Sequence, residues 1–143
     1  MSEKFKRFEK ALDALIDEGT QLHMAMQLDC YGEPFFDKAK EQLSKKKADA
    51  LIKDLPNFND RYQGWYSEAQ ALVKQVLPER LSDFQSYYEF PRVRKDITFQ
   101  NYMIKDYLQG LRITRGWEKE VVADGSSAVP EFVQQLNIVK AVS

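Results

Sequence analysis

Between Phe58 and Val76 apolar residues return at alternating spacings of four and three: Phe58, Tyr62, Trp65, Ala69, Leu72 and Val76. On a helix that spacing places all six on one stripe. Tyr66 and Val73 widen the stripe to the breadth of a core-facing helix, while Arg61, Gln63, Glu68, Gln70 and Lys74 take the opposite face. The spacing predicts a central helix about 30 Å long. Pro78 cannot continue it without losing a hydrogen bond and clashing with the preceding turn. It suits the first turn of a new helix, with Glu79 well placed against the dipole. Leu81, Phe84 and Tyr88 then repeat at three and four, which predicts a short second helix folding back after a sharp corner.

The same periodicity organises the rest of the chain. Phe5, Phe8, Leu12, Leu15, Leu22 and Met26 predict a helix over about 2–29, capped by Ser2, with Gly19 on its apolar stripe. That glycine permits either close approach of another helix or a kink. Tyr31-Gly32-Glu33-Pro34 reads as a turn. Phe36, Ala39 and Leu43, then Ala50 or Leu51, Ile52 and Leu55, predict a second helical stretch, which runs through its polar middle or restarts with Ser44 as a cap. Pro56 ends it, and Asn57 or Asn59 can cap the central helix. Beyond the corner, Phe99, Tyr102, Met103 and Tyr107 predict a helix capped by Asp96 or Thr98, which either reaches Leu111 or is weakened or ended by Gly110. Ile113, Thr114, Val121 and Val122 favour strand, with Gly116 between them. Asp124 to Ser127 is a turn and cap, and Val129, Phe132, Leu136 and Val139 predict a last amphipathic helix. The expectation is an all-α single domain spanning 1–143. It is a bundle of five to six helices with a short irregular or β-hairpin insertion near 112–122.

Composition narrows the setting. A chain of 143 residues fits one domain and buries enough surface to need no staples. Its single cysteine, Cys30, cannot form an internal disulfide. The acid-punctuated N-terminus lacks a signal-peptide core, and no window is apolar enough for a membrane span. A cytoplasmic setting with no membrane association is expected. The chain stops soon after the amphipathic run 129–142, which reads as the N-terminal part of a longer protein.

Candidate chemistry is sparse. The one histidine, His23, lies seven residues before Cys30, a helical rise of about 10 Å and too far for a hydrogen bond. His23 beside Leu22 and Met26 reads as a structural side chain. A triad or zinc site needs several converging groups. Neither G-x-x-x-x-G-K nor G-x-G-x-x-G occurs. Asp13 with Asp17, and Glu79 with Asp83, are carboxylate pairs at helical spacing; solvated faces are the default and a metal-dependent hydrolase the outlying reading. No catalytic residue, metal or cofactor is assigned.

Net charge is −1, so the chain as a whole offers no electrostatic case for nucleic acid. Yet 91–119 carries seven cations against three carboxylates, interleaved with aromatics. Arg92, Arg94, Lys95, Arg112, Arg115, Trp117, Tyr87 and Tyr88 form the candidate binding surface. Such a patch suits a protein partner or self-association through aromatic anchors, or, as the alternative, RNA or single-stranded DNA. Tyr102 and Tyr107 also interleave with the charges but satisfy the core stripe.

Three runs carry a resemblance: Tyr62-Gln63-Gly64-Trp65-Tyr66-Ser67-Glu68-Ala69, then 75–84 with Leu77-Pro78-Glu79-Arg80-Leu81, then Ile97-Thr98-Phe99-Gln100-Asn101-Tyr102. With 110–116 and Val129-Pro130-Glu131-Phe132, they look like a group of bacterial proteins of unassigned function. In that group an N-terminal helical region precedes a part similar to HEPN-type domains, which recur in prokaryotic phage-defence and toxin–antitoxin systems. The resemblance implies a defence-associated accessory module. It brings no catalytic residues: HEPN ribonucleases carry Arg-x4–6-His, and His23 has no arginine at that distance before it.

Overall fold

A computed structural model describes residues 3–143. The fold is mostly helical, with seven α-helices and one two-stranded antiparallel sheet among the described residues. The seventh helix comes from the second helical stretch, which restarts at Ser44 rather than running through. By contact the chain divides into two compact units, one ending at Ser67 and the other Glu68–Ser143.

The first unit holds α1 (Glu3–Tyr31), α2 (Glu33–Gln42), α3 (Lys45–Asp54) and the opening turns of α4 (Phe58–Val76). Helix α1 buries Leu12, Leu15, Gly19, Leu22 and Met26, and it runs unbroken through the glycine. Its expected cap, Ser2, lies outside the described residues, and Phe5, at the start of the stripe, is exposed. The turn after α1 places Gly32 at φ +58°, a left-handed conformation that suits glycine. Ser44 caps α3, its hydroxyl accepting the Lys47 N–H at 3.2 Å. Asn57 caps α4, its side-chain oxygen accepting the Asp60 N–H at 3.0 Å.

Phe58, Tyr62 and Trp65 are buried on the predicted stripe of α4. Phe58 and Tyr62 stack at 5.1 Å between ring centroids. Trp65 reaches back to α1, its indole N–H donating to the Leu15 carbonyl at 2.8 Å. That bond gives a buried indole the partner it needs while its rings supply the unit's largest apolar area. The Arg61–Glu18 pair, 3.3 Å apart at the rim, adds little because both groups meet water.

The second unit takes the remaining turns of α4, a 3₁₀ turn at Pro78–Arg80, α5 (Leu81–Tyr88), α6 (Ile104–Leu108), β1 (Ile113–Arg115), β2 (Glu120–Ala123), a second 3₁₀ turn at Gly125–Ala128 and α7 (Val129–Lys140). Pro78 opens the corner as its fixed φ dictates. Helix α5 packs on α7, and α6 touches both. Phe84, Phe132, Leu136, Ile138 and Val139 are buried there. The side chain of Gln135 is also fully buried; its amide donates to the Phe84 carbonyl at 2.9 Å. Ala69 and Val73 continue the α4 stripe, but Leu72 is only half-buried and Val76 is exposed. Val76 stands about five turns after Phe58, at the same angle. Periodicity fixes that angle without stating what lies opposite at each height.

The largest departure concerns the helix expected over Phe99 to Leu111. It begins only at Ile104 and spans five residues. Its expected N-terminal turns are replaced by a polar staple: the Thr98 N–H donates to the Asn101 side-chain oxygen at 2.7 Å, and the Asn101 N–H to the Thr98 hydroxyl at 3.3 Å. Neither Asp96 nor Thr98 caps α6; the Asp106 carboxylate, accepting the Met103 N–H at 2.8 Å, does. Phe99 is consequently exposed, whereas Tyr102 and Tyr107 are core residues. The hairpin forms where strand residues predicted it, with Ile113 opposite Ala123 and Arg115 opposite Glu120. Its loop uses left-handed conformations at Gly116 and Lys119.

Candidate functional site

From Glu89 to Met103 the second unit has neither helix nor strand, so side chains must satisfy its backbone. Arg94 is the centre of that arrangement. Its guanidinium donates to both carboxylate oxygens of Asp106, at 2.5 and 3.0 Å, and to the Asn101 carbonyl at 3.1 Å. The hydrogen bond to Asp106 holds Arg94 above its ordinary pKa, against the opposing effect of burial. Asp106 itself is buried, and its further bond to the Met103 N–H fastens the connector to the start of α6. The Asn101 amide adds a bond to the Asp96 carbonyl at 2.9 Å. At the rim Lys105 donates to Glu89 at 3.0 Å, and this hydrogen bond raises the lysine's pKa.

The connector held this way and α6 enclose a groove of about 730 Å³. Phe90, Val93, Ile97 and Met103 give it apolar walls; Arg92, Arg94, Lys95, Lys105, Glu89 and Asp106 give it charge. The two acids are each engaged by a cation, Glu89 by Lys105 and Asp106 by Arg94. Arg92 and Lys95 are exposed, and the Arg92 guanidinium lies 6.0 Å from the Phe90 ring centroid.

The expected surface residues therefore fall into three places. Arg92, Arg94 and Lys95 line the groove, with Arg94 turned inward onto Asp106. Arg112, Arg115 and Trp117 belong to the hairpin, where Trp117 at the tip is fully exposed and Arg115 faces Glu120 across the strands. Tyr87 and Tyr88 end α5 and are half-buried. Sequence reading missed Asp106, Glu89, Lys105, Val93 and Phe99. One signal was available: an aspartate between Met103 and Tyr107, inside an apolar stretch, needs a cationic partner, although Arg92, Arg94 and Lys95 are alike in sequence as candidates for it. Nothing comparable announces Val93, whose complete exposure depends on the loop's path.

The first unit carries its own surface groove of about 550 Å³, lined by Asp17, Glu18, Asp60 and Arg61 among others. His23 and Cys30 are both half-buried on α1. Asp83 pairs with Arg80 at 3.4 Å. Among the described residues no three metal-ligating side chains converge, and no helix is long and apolar enough to cross a membrane.

The chain matches no protein-family model, no curated protein and no solved structure.

Proposed function

We propose that this chain is a non-enzymatic helical interaction module, built into a prokaryotic defence or toxin–antitoxin protein, that engages a protein partner or a second copy of itself through the surface of its second unit. The observation that carries this reading is the placement of Val93, Phe99 and Trp117 in water, with Trp117 at full exposure. Each sits on a loop or turn rather than at the frayed end of a helix. Large apolar side chains left in solvent on loops bury no area within the fold, and aromatic anchors dominate binding energy at protein interfaces. Light scattering across a concentration range, combined with crosslinking and mass spectrometry, tests it. Self-association or a crosslinked partner mapping to these three positions supports the proposal; a strict monomer with no crosslinked partner overturns it.

Arg92 and Lys95, the exposed cations of the groove, favour a second reading, binding of RNA or single-stranded DNA through the basic 92–115 region. Titration at two salt concentrations discriminates it, because phosphate contacts weaken steeply with added salt.

A further inference from the structure

We infer that the groove beside α6 receives an acidic, apolar-anchored peptide segment of the partner, with carboxylates against Arg92 and Lys95. The inference rests on the interaction-module reading and adds the chemistry of what is bound. It starts from charge accounting within the groove. Four cations and two carboxylates line it. Both carboxylates are already joined to cations, through the Arg94–Asp106 and Lys105–Glu89 pairs. The excess charge of the groove is therefore concentrated on Arg92 and Lys95, three positions apart on one exposed loop.

The same groove is lined by apolar groups, Phe90, Ile97 and Met103, together with the fully exposed Val93. A ligand that satisfies both features presents negative charge beside hydrocarbon, as alternating acidic and aliphatic residues do. An extended chain places alternate side chains on one face and their neighbours on the other. One face can then meet the two cations while the other covers the apolar wall. The volume suits a few residues of such a segment and exceeds what a single side chain needs.

The two exposed cations alone would also suit a nucleic-acid strand, but the groove's aromatic content favours the peptide. A non-specific single-strand site combines a continuous cationic track with aromatic faces on which bases stack. Here the groove's aromatic residue, Phe90, is half-buried with the Arg92 guanidinium over its ring, which leaves no open face for a base. The fully exposed aromatic of this unit, Trp117, is on the hairpin and does not line the groove.

The test uses the intact chain and a fluorescein-labelled peptide of alternating Glu and Leu, followed by fluorescence anisotropy. Controls are the same peptide with Gln for Glu, and an oligothymidylate of matching length. Saturable binding of the acidic peptide is expected, weakened about tenfold or more by R92E/K95E, by the Gln peptide and by high salt. Arg92 and Lys95 are exposed, so circular dichroism of R92E/K95E is expected to match the parent. No binding of the acidic peptide, equal binding by R92E/K95E, or preference for the oligothymidylate overturns the inference. Partner crosslinks at Phe99 and Trp117 that survive in R92E/K95E would remove the groove assignment and leave the interaction-module reading standing; loss of all crosslinks in the parent chain would remove both.

Discussion

The pairing of α1 with the start of α4 and the connector before α6 are ordered by opposite means. In the first, aromatic and aliphatic side chains at helical spacing are buried side by side, and polar contacts such as Trp65 to Leu15 complete what packing has already placed. In the second, a stretch without regular structure is held by polar groups: Arg94 on Asp106, Asn101 on Thr98 and Asp96, Asp106 on Met103. The helical region spreads its stability over many weak contacts. The connector concentrates it in one charged pair, and the loop so fixed is free to present Arg92, Val93 and Lys95 outward. Order that buries Tyr102 and Met103 but does not consume Val93 and Phe99 leaves those two available for binding.

Substitutions can break this contrast at either end. Trp65→Ala removes the largest buried side chain of the first unit together with its hydrogen bond, and a loss of about 3–5 kcal/mol is expected by chemical denaturation. Arg94→Ala leaves Asp106 buried without its cation and is expected to cost about 3 kcal/mol, with faster amide exchange concentrated over 96–108. The double replacement Arg94→Met with Asp106→Asn should cost less than the single change, since no uncompensated charge remains and the amide oxygen can still accept the Met103 N–H. If the two arginine variants are equally destabilised, the cost lies in the lost hydrogen bonds and not in a stranded charge.

A smaller effect is tied to pH. Burial pushes the Glu131 carboxyl up to about 7 from its ordinary 4.5, even though its place in the first turn of α7 favours the charged form. Below the unfolded value the group is protonated in both states and costs nothing. As pH rises from that value towards 7 the unfolded state gives up its proton while the folded state resists carrying a poorly solvated charge, so stability falls across this window and levels off above it. Glu131→Gln should therefore match the parent near pH 4.5 and exceed it above pH 7, by about 1 kcal/mol once partial exposure is allowed for. Equal stability curves across that range would dismiss the shift. Ser44→Ala, which deletes the cap of α3, is expected to cost about 1 kcal/mol. At the low end, Val93→Ser and Trp117→Ser should alter stability by no more than about 0.5 kcal/mol while reducing partner crosslinking, because neither side chain is packed.

Where folding is governed by periodic burial, the chain could be read directly. The stripe through Phe58, Tyr62, Trp65 and Ala69, the corner at Pro78, the caps at Ser44 and Asn57, and the hairpin at 113–123 all have local causes. The spacing of Phe99, Tyr102 and Met103 misled because it contains nothing to show that Thr98 and Asn101 would bond to each other in place of a helical turn. The candidate surface was readable as a basic, aromatic stretch but not as a division of labour. Arg92, Arg94 and Lys95 look alike in sequence, and only the long-range meeting of Arg94 with Asp106 separates a structural cation from two exposed ones.

Gln135 gives the α5–α7 pair a property that hydrocarbon alone would not. Two smooth apolar helices can slip by a turn at small cost, trading one set of contacts for a similar one. A slip here would pull the amide off the Phe84 carbonyl and strand it in a dry interior. The glutamine thus acts as a key in a shaft, permitting one alignment of the two rods and penalising its neighbours.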